Sequence, residues 1–301
     1  MEKPEATAMS TLMSLFVSGL AVGAIYAIVA LGFVLVFKAT GVLNFAHGYF
    51  LTIASYLGLT FIARMGLSFV TGLLIIAAIM AATGVAVHYG IMRWMIGKAF
   101  FSIVLVTVGM EIIIRAGLLV AYGPLEFGRL QALPRGGITS TFLGVSISFV
   151  NLIVMGTAVV VVLGFLVFFR FSRVGLHMRA VAENLEAAAA MGINPNKIYA
   201  MAWAISLGMA AIGGVLYAHY SASIDLGLAA VGLRAFPAAI IGGIDSVQGA
   251  IIGGLIVGVV ETLGTGYLGA EWRDVIAFGI MFLVLMWRPS GLFGTKELVR
   301  V

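Results

Sequence analysis

Two ionisable residues four positions apart, Glu111 and Arg115, stand in the middle of a long apolar run. Glutamate placed four residues before arginine is the favourable order for a helical ion pair. Pairing also lowers the cost of carrying charge where water is absent. One group of each sign is equally what recognition of an amino acid zwitterion requires, so a structural pair and a solute contact both stay open. Asn44 and His47, three apart, share one helical face. They either line a path for a polar solute or bond a neighbouring helix and close the turn at Gly41. Arg234 and Asp225 could meet a solute from outside or sit as interfacial charges; Gly48, Phe236 and Pro237 complete the candidate path. Glu261 lies inside a further apolar run, where it could face a partner subunit or water. His88 and His219 lack metal-ligand spacing, so packing or interfacial roles are expected and no metal is assigned. Catalysis finds no footing. There is no His-Glu-x-x-His, no pair of aspartates in an apolar run, no serine with a plausible base and no cysteine.

The elements that must position these groups are membrane helices. Hydrophobic residues make up 62% of the 301 residues and charged ones 10%, whereas a soluble domain carries roughly 25% charged residues. The outer surface of the fold is therefore itself apolar, and its solvent is lipid. Apolar runs cover 11–37, 44–63, 67–92, 99–122, 145–169, 198–222, 249–268 and 273–287. A shorter stretch, 226–243, is interrupted by Arg234 and Pro237 and reads as a broken or re-entrant segment. The expectation is an all-α polytopic membrane protein of about eight spans plus that segment, in a single domain over 1–301. Two glycine-punctuated segments, Gly41 to Gly48 and Gly232 to Gly254, suggest loosely related halves; close helix packing through small residues is the other reading. No cleavable leader is expected, because the first apolar run is too long for one. Lys and Arg place 93–98, 170–197 and the C-terminal tail in the cytoplasm and 123–144 outside, leaving the side of the N-terminus open. The net charge of +5 is spread between apolar runs, so nucleic acid is not an expected partner. Trp94, Trp203, Trp272 and Trp287 fall near run ends, as an interfacial belt would place them.

The cytoplasmic loop has its own architecture. Met178 to Met191 is rich in Ala, Leu and Glu, and reads as one helix. Gly192 supplies a left-handed residue to end it, Asn194 a cap for the next helix, and Pro195 its first residue. Two helices with a sharp turn make a shape that seats in a groove on a partner. An alanine-rich helix lying on lipid headgroups is the plainer reading. Glu186-Ala187-Ala188 with Gly192 resembles the Glu-Ala-Ala-x-x-x-Gly pattern by which importer permeases dock on their ATPases, although the later part of that pattern is missing.

Further motifs follow in order: Gly41-Val-Leu-Asn-Phe-Ala-His-Gly48, Gly175-Leu-His-Met-Arg-Ala180, Gly232-Leu-Arg-Ala-Phe236 and Arg288-Pro-Ser-Gly-Leu-Phe-Gly294. With them nearly the whole chain resembles the branched-chain amino acid ABC transporter permease family, and in particular the first of its two permeases. The resemblance implies a bacterial inner-membrane importer subunit for amino acids or a related small solute. It implies a second, related permease, two ATP-binding subunits and a periplasmic solute-binding protein as partners. It also implies that Arg179, Glu183, Asn184, Glu186, Ala187, Ala188, Gly192, Asn194 and Pro195 form the ATPase-coupling surface. ATP and magnesium belong to the partner subunits: this chain has no phosphate-binding loop, since Gly291-Leu-Phe-Gly-Thr-Lys296 has the wrong spacing. A self-contained secondary transporter or channel is the alternative, and it would rest on Glu111 and Glu261.

Overall fold

The computed structural model describes residues 4–123, 137–140 and 145–295. Pro124, Pro134 and Gly136 of the expected outer loop, and Lys296 and Arg300 of the tail, lie outside the described residues. Among the described residues there are eleven α-helices and one antiparallel hairpin. The helices are α1 (Pro4–Thr40), α2 (His47–Gly58), α3 (Phe69–Gly90), α4 (Phe100–Tyr122), α5 (Phe149–Phe171), α6 (Arg173–Glu183), α7 (Leu185–Ala190), α8 (Pro195–Ser221), α9 (Ala229–Gly242), α10 (Val247–Leu268) and α11 (Arg273–Trp287). The hairpin, β1 (Gly137–Ser140) and β2 (Val145–Ser148), leads directly into α5, whose first turn is capped by the Ser148 hydroxyl.

Among the described residues six helices are long and apolar enough to cross a bilayer: α1, α3, α4, α5, α8 and α10. The expected span over 44–63 is shorter because its first residues are not helical. α1 stops at Gly41, whose φ of +68° is open to glycine and strained for other residues. The chain then leaves the helix, passing through a turn at Phe45 and Ala46, until α2 begins at His47, and a π-helical turn, Leu59–Arg64, prolongs it. α9 and α11, at 14 and 15 residues, are also short of a full crossing by themselves.

α1 is the axis of the molecule: 83% of its most apolar window is buried, against 17% for α5. It runs antiparallel to α10, with Gly23 against Gly258 and Ala27 against Gly254. Small residues let these backbones touch, which is how helices associate where lipid offers no hydrophobic drive. α8 packs across the same core, where the Ser206 hydroxyl donates to the Gly32 carbonyl at 2.8 Å. α3 lies on α8 through Gly84, where an added Cβ would come 2.4 Å from the Trp203 carbonyl oxygen. That contact corrects one expectation. Trp203 is fully buried, whereas Trp94, Trp272 and Trp287 are exposed.

Lys38, Arg170, Arg179, Asp245 and Thr295 border one cavity, so the end of α1 lies on the same side as the loop between α5 and α8. The N-terminal end of α1 therefore lies on the opposite side.

Candidate functional site

The first candidate region is a set of broken helices. The ring of His47 rests on that of Phe33, 4.3 Å between centroids, and an added Cβ on Gly32 would meet it at 3.1 Å. Gly32 lies eight residues before Thr40, which places the start of α2 about 12 Å inside α1's end. α9 begins at the same level, because Gly232 and Gly48 are in backbone contact: a Cβ on Gly232 would lie 2.3 Å from the Gly48 Cα. The two glycine-punctuated segments thus meet, each at the start of a helix within the bundle. Phe33, Phe45 and Phe236 gather beside them, with Phe236 centroids 6.0 and 5.9 Å from the other two. Pro237 is buried one residue on, inside α9; the helix runs through both Arg234 and Pro237, so the interruption expected there is a missing backbone donor and not a break.

Asn44 and His47 are both buried here. Neither polar atom of the Asn44 amide has a hydrogen-bond partner. His47 has no well-formed ring hydrogen bond either, although the Val29 backbone lies within its reach. Buried amides are normally satisfied, so two such groups side by side call for an explanation. Asn44 borders a cavity of about 10 Å³ with Phe33, Phe45, Gly232, Leu233 and Phe236, room for roughly one water. Sharing Phe45 and Leu233 with it is a larger open groove of about 350 Å³, which Gly48, Tyr49, Ala229 and Glu111 also line.

The remaining charges sort differently. Among the described residues, Glu111 and Arg115 form no ion pair: Glu111 borders the groove, while Arg115 is exposed on α4. Arg234 is engaged elsewhere, its Nε 2.6 Å from Asp274 at the head of α11. Asp225 accepts from the Gly227 amide and so caps the turn before α9. Glu261 is buried on α10, accepts the Tyr26 hydroxyl at 2.8 Å and lies 3.3 Å from the Arg273 guanidinium. Tyr26, Arg273 and Asp274 thus join α1, α9, α10 and α11 through one polar cluster. Sequence reasoning missed all three; the available signal was a tyrosine in the middle of an otherwise apolar run. Among the described residues no three His, Cys, Asp or Glu side chains come together as a metal site would need.

The second region is the loop between α5 and α8. Its expected single helix is two, because the Asn184 side chain accepts from the Ala187 amide at 2.9 Å and starts α7 afresh. Gly192 has φ of +84°, and the Asn194 side chain accepts from the Lys197 amide at 3.3 Å, with Pro195 opening α8. Arg179 on α6 donates to the Phe169 and Arg170 carbonyls at the end of α5, satisfying groups that a helix terminus leaves free. The loop is therefore fastened to its helices. Glu183, Glu186 and Ala187 are exposed and Ala188 is buried; at the tip Leu185 and Met191 are exposed, Met191 at 84%.

A polytopic helical bundle with broken helices around a polar groove, and a rigid helical loop at one face, defines a membrane transport permease. The chain belongs to the family described as branched-chain amino acid transport system, permease component, which it matches over residues 15–285. It is 34% identical to the high-affinity branched-chain amino acid transport system permease protein BraD of Pseudomonas aeruginosa, covering 95% of this chain and 96% of that one. It is 35% identical to the permease protein LivH of the corresponding Escherichia coli K12 system, over 94% of this chain and 96% of LivH. The E. coli permease protein LivM is similar at 27% identity, over 89% of this chain and 67% of LivM.

Proposed function

We propose that this chain is the membrane-spanning subunit of an ATP-driven importer in a bacterial inner membrane, carrying a branched-chain or similar amino acid. One observation carries the reading: an apolar helix tip, Leu185 and Met191, stands exposed on a loop that caps and an arginine hold rigid. An exposed apolar knob outside the bilayer implies a protein partner. The partners proposed are two ATP-binding subunits, which hold ATP and magnesium and take α6–α7 in a groove. Arg179, Glu183, Asn184, Glu186, Ala187, Ala188, Gly192, Asn194 and Pro195 form that docking unit. Similarity to both LivH and LivM supports a second, related permease alongside, and a solute-binding protein delivers the cargo from the periplasm.

Within the bilayer, α2 with its π-turn spans 18 residues, about 27 Å, and with α11 completes eight crossings, while the short α9 returns the chain to the loop side between α8 and α10. The loop side is cytoplasmic, in keeping with Arg170, Arg173, Arg179 and Lys197. Closure of the ATPases moves α6–α7, and the bundle reorients around the groove of Gly48 and Glu111 and the neighbouring Asn44 and His47 in alternating access.

The test is purification of the tagged chain in mild detergent with identification of what accompanies it. Two ATP-binding subunits and a second permease are expected. A chain that purifies alone, or only with copies of itself, contradicts the reading and turns attention to a secondary transporter.

A further inference from the structure

Three cations from three separate elements share one cavity at the end of the molecule that carries the loop between α5 and α8. Lys38 stands in the last turn of α1, Arg170 next to last in α5, and Arg179 on α6. The cavity measures about 700 Å³, with Leu166, Phe169 and Val247 as apolar wall. That volume falls within the range of small-molecule sites. Among the described residues that line it, Asp245 is the one carboxylate, so three cations against one anion leave two positive charges unmatched. Asp245 is itself engaged, accepting from the Thr295 amide at 3.1 Å and from the Thr295 hydroxyl. Backbone carbonyls hold two of the cations in place: Arg179 donates to Phe169 and Arg170, and Lys38 to Asp245 at 2.9 Å. Both keep N–H donors to spare, because a guanidinium and an ammonium carry more than these bonds use. Arg170 is exposed and, among the described residues, its side chain bonds no acceptor; it lies over the Phe171 ring at 5.5 Å.

The depth of this cavity points to its occupant. α1, α5 and α10 are all long enough to cross a bilayer, and Lys38, Arg170 and Val247 stand at or next to their ends on this side. Phospholipid headgroups lie at that level. From there Leu166 and Phe169 lead inward along α5, the crossing helix least buried in the bundle, at 17% of its most apolar window. We infer that the cavity holds the phosphate of an anionic phospholipid, with Lys38, Arg170 and Arg179 around the phosphate oxygens and the acyl chains laid along α5. Basic pockets between spanning helices are suited to such headgroups. A zwitterionic lipid brings its own cation and gains less from the unmatched charge. The inference goes beyond the transport reading: it requires a bilayer around the bundle and no ATP-binding partner. Because Arg179 belongs to α6, the bound lipid bridges the axis of the bundle to the base of the loop.

The test uses the purified full chain, with any partner it retains, in mild detergent. Native mass spectrometry counts bound lipid as short-chain phosphatidylglycerol is titrated in. The wild-type protein should retain phosphatidylglycerol in preference to phosphatidylcholine of the same chain length; equal retention overturns the inference. Arg170→Gln removes the cation that no acceptor engages. It should weaken phosphatidylglycerol binding about fivefold, the scale of one basic side chain near an anionic headgroup. Arg170→Lys restores the charge and should recover most of the loss. Arg173→Gln removes an exposed cation of the same loop that does not line the cavity, and should leave binding unchanged. Unchanged binding in Arg170→Gln overturns the inference. An equal loss in Arg173→Gln also overturns it, because general surface charge and not a site would then hold the lipid. Inorganic phosphate offers the same chemistry from another source. If it displaces phosphatidylglycerol at equal concentration, the cavity is a free-phosphate site and the lipid assignment falls.

Discussion

Gly253 on α10 lies so close to α9 that a Cβ there would come within 2.1 Å of the Ala238 carbonyl oxygen. Gly164 on α5, like Gly109 and Gly117 on α4, meets nothing within 4 Å. The same residue type is a close-packing device in one region and open space in the other. The inner group, α1, α2, α8, α9 and α10, is joined backbone to backbone, and it holds the broken helix starts and the unsatisfied Asn44. The outer helices α4 and α5 turn exposed apolar side chains and uncovered glycines away from that core. The difference teaches where rigidity resides. The helix starts at His47 and Ala229 belong to the tightly fastened half, and the outer half keeps its apolar side chains uncovered.

Changes in the inner group should break this contrast most severely. Gly242→Leu places a side chain where a Cβ alone would lie 2.0 Å from the Gly249 carbonyl oxygen. Two backbones have no room to give, so destabilisation of about 3 kcal/mol or more is expected, read as loss of monodisperse protein in detergent. Tyr26→Phe removes one donor from buried Glu261 and should cost about 2 kcal/mol in thermal unfolding. Asn194→Ala removes the cap at the start of α8 and should cost about 1 kcal/mol, with weaker retention of the ATP-binding subunits on co-purification as the accompanying sign. Gly164→Ala sharpens the contrast from the other side. With open space around it, the helix should gain up to about 1 kcal/mol, seen as an unchanged or raised melting temperature. Severe loss of folding in that variant would mean the outer helices are packed as tightly as the inner ones.

The features legible in the sequence are those with local causes. Long apolar runs gave six of the eight expected spans, Gly192 and the Asn194-Pro195 pair gave the turn into α8, and Gly41 gave the end of α1. Local competition misled the reading at Asn184, where a capping side chain outweighs the helix propensity of the surrounding alanines. The shortened span before His47 was hidden because the non-helical residues 42–46 are as apolar as the helix that follows them. Burial of Trp203 depends on a glycine of another helix, Gly84, and the Tyr26–Glu261 bond joins residues 235 positions apart. No pattern in one stretch of sequence announces such pairs. The Glu111–Arg115 spacing permits an ion pair; the groove beside Glu111, formed by α2 and α9, is tertiary and lay beyond sequence reasoning.

The central claim is that this chain moves its solute only through ATP-binding partners docked on α6–α7. Its most direct test is leucine uptake into proteoliposomes holding the complete complex, with the phosphate-binding lysine of both ATP-binding subunits replaced. The account predicts that uptake disappears while the complex still co-purifies intact. Uptake that continues without ATP hydrolysis would contradict it and make this chain a transporter in its own right.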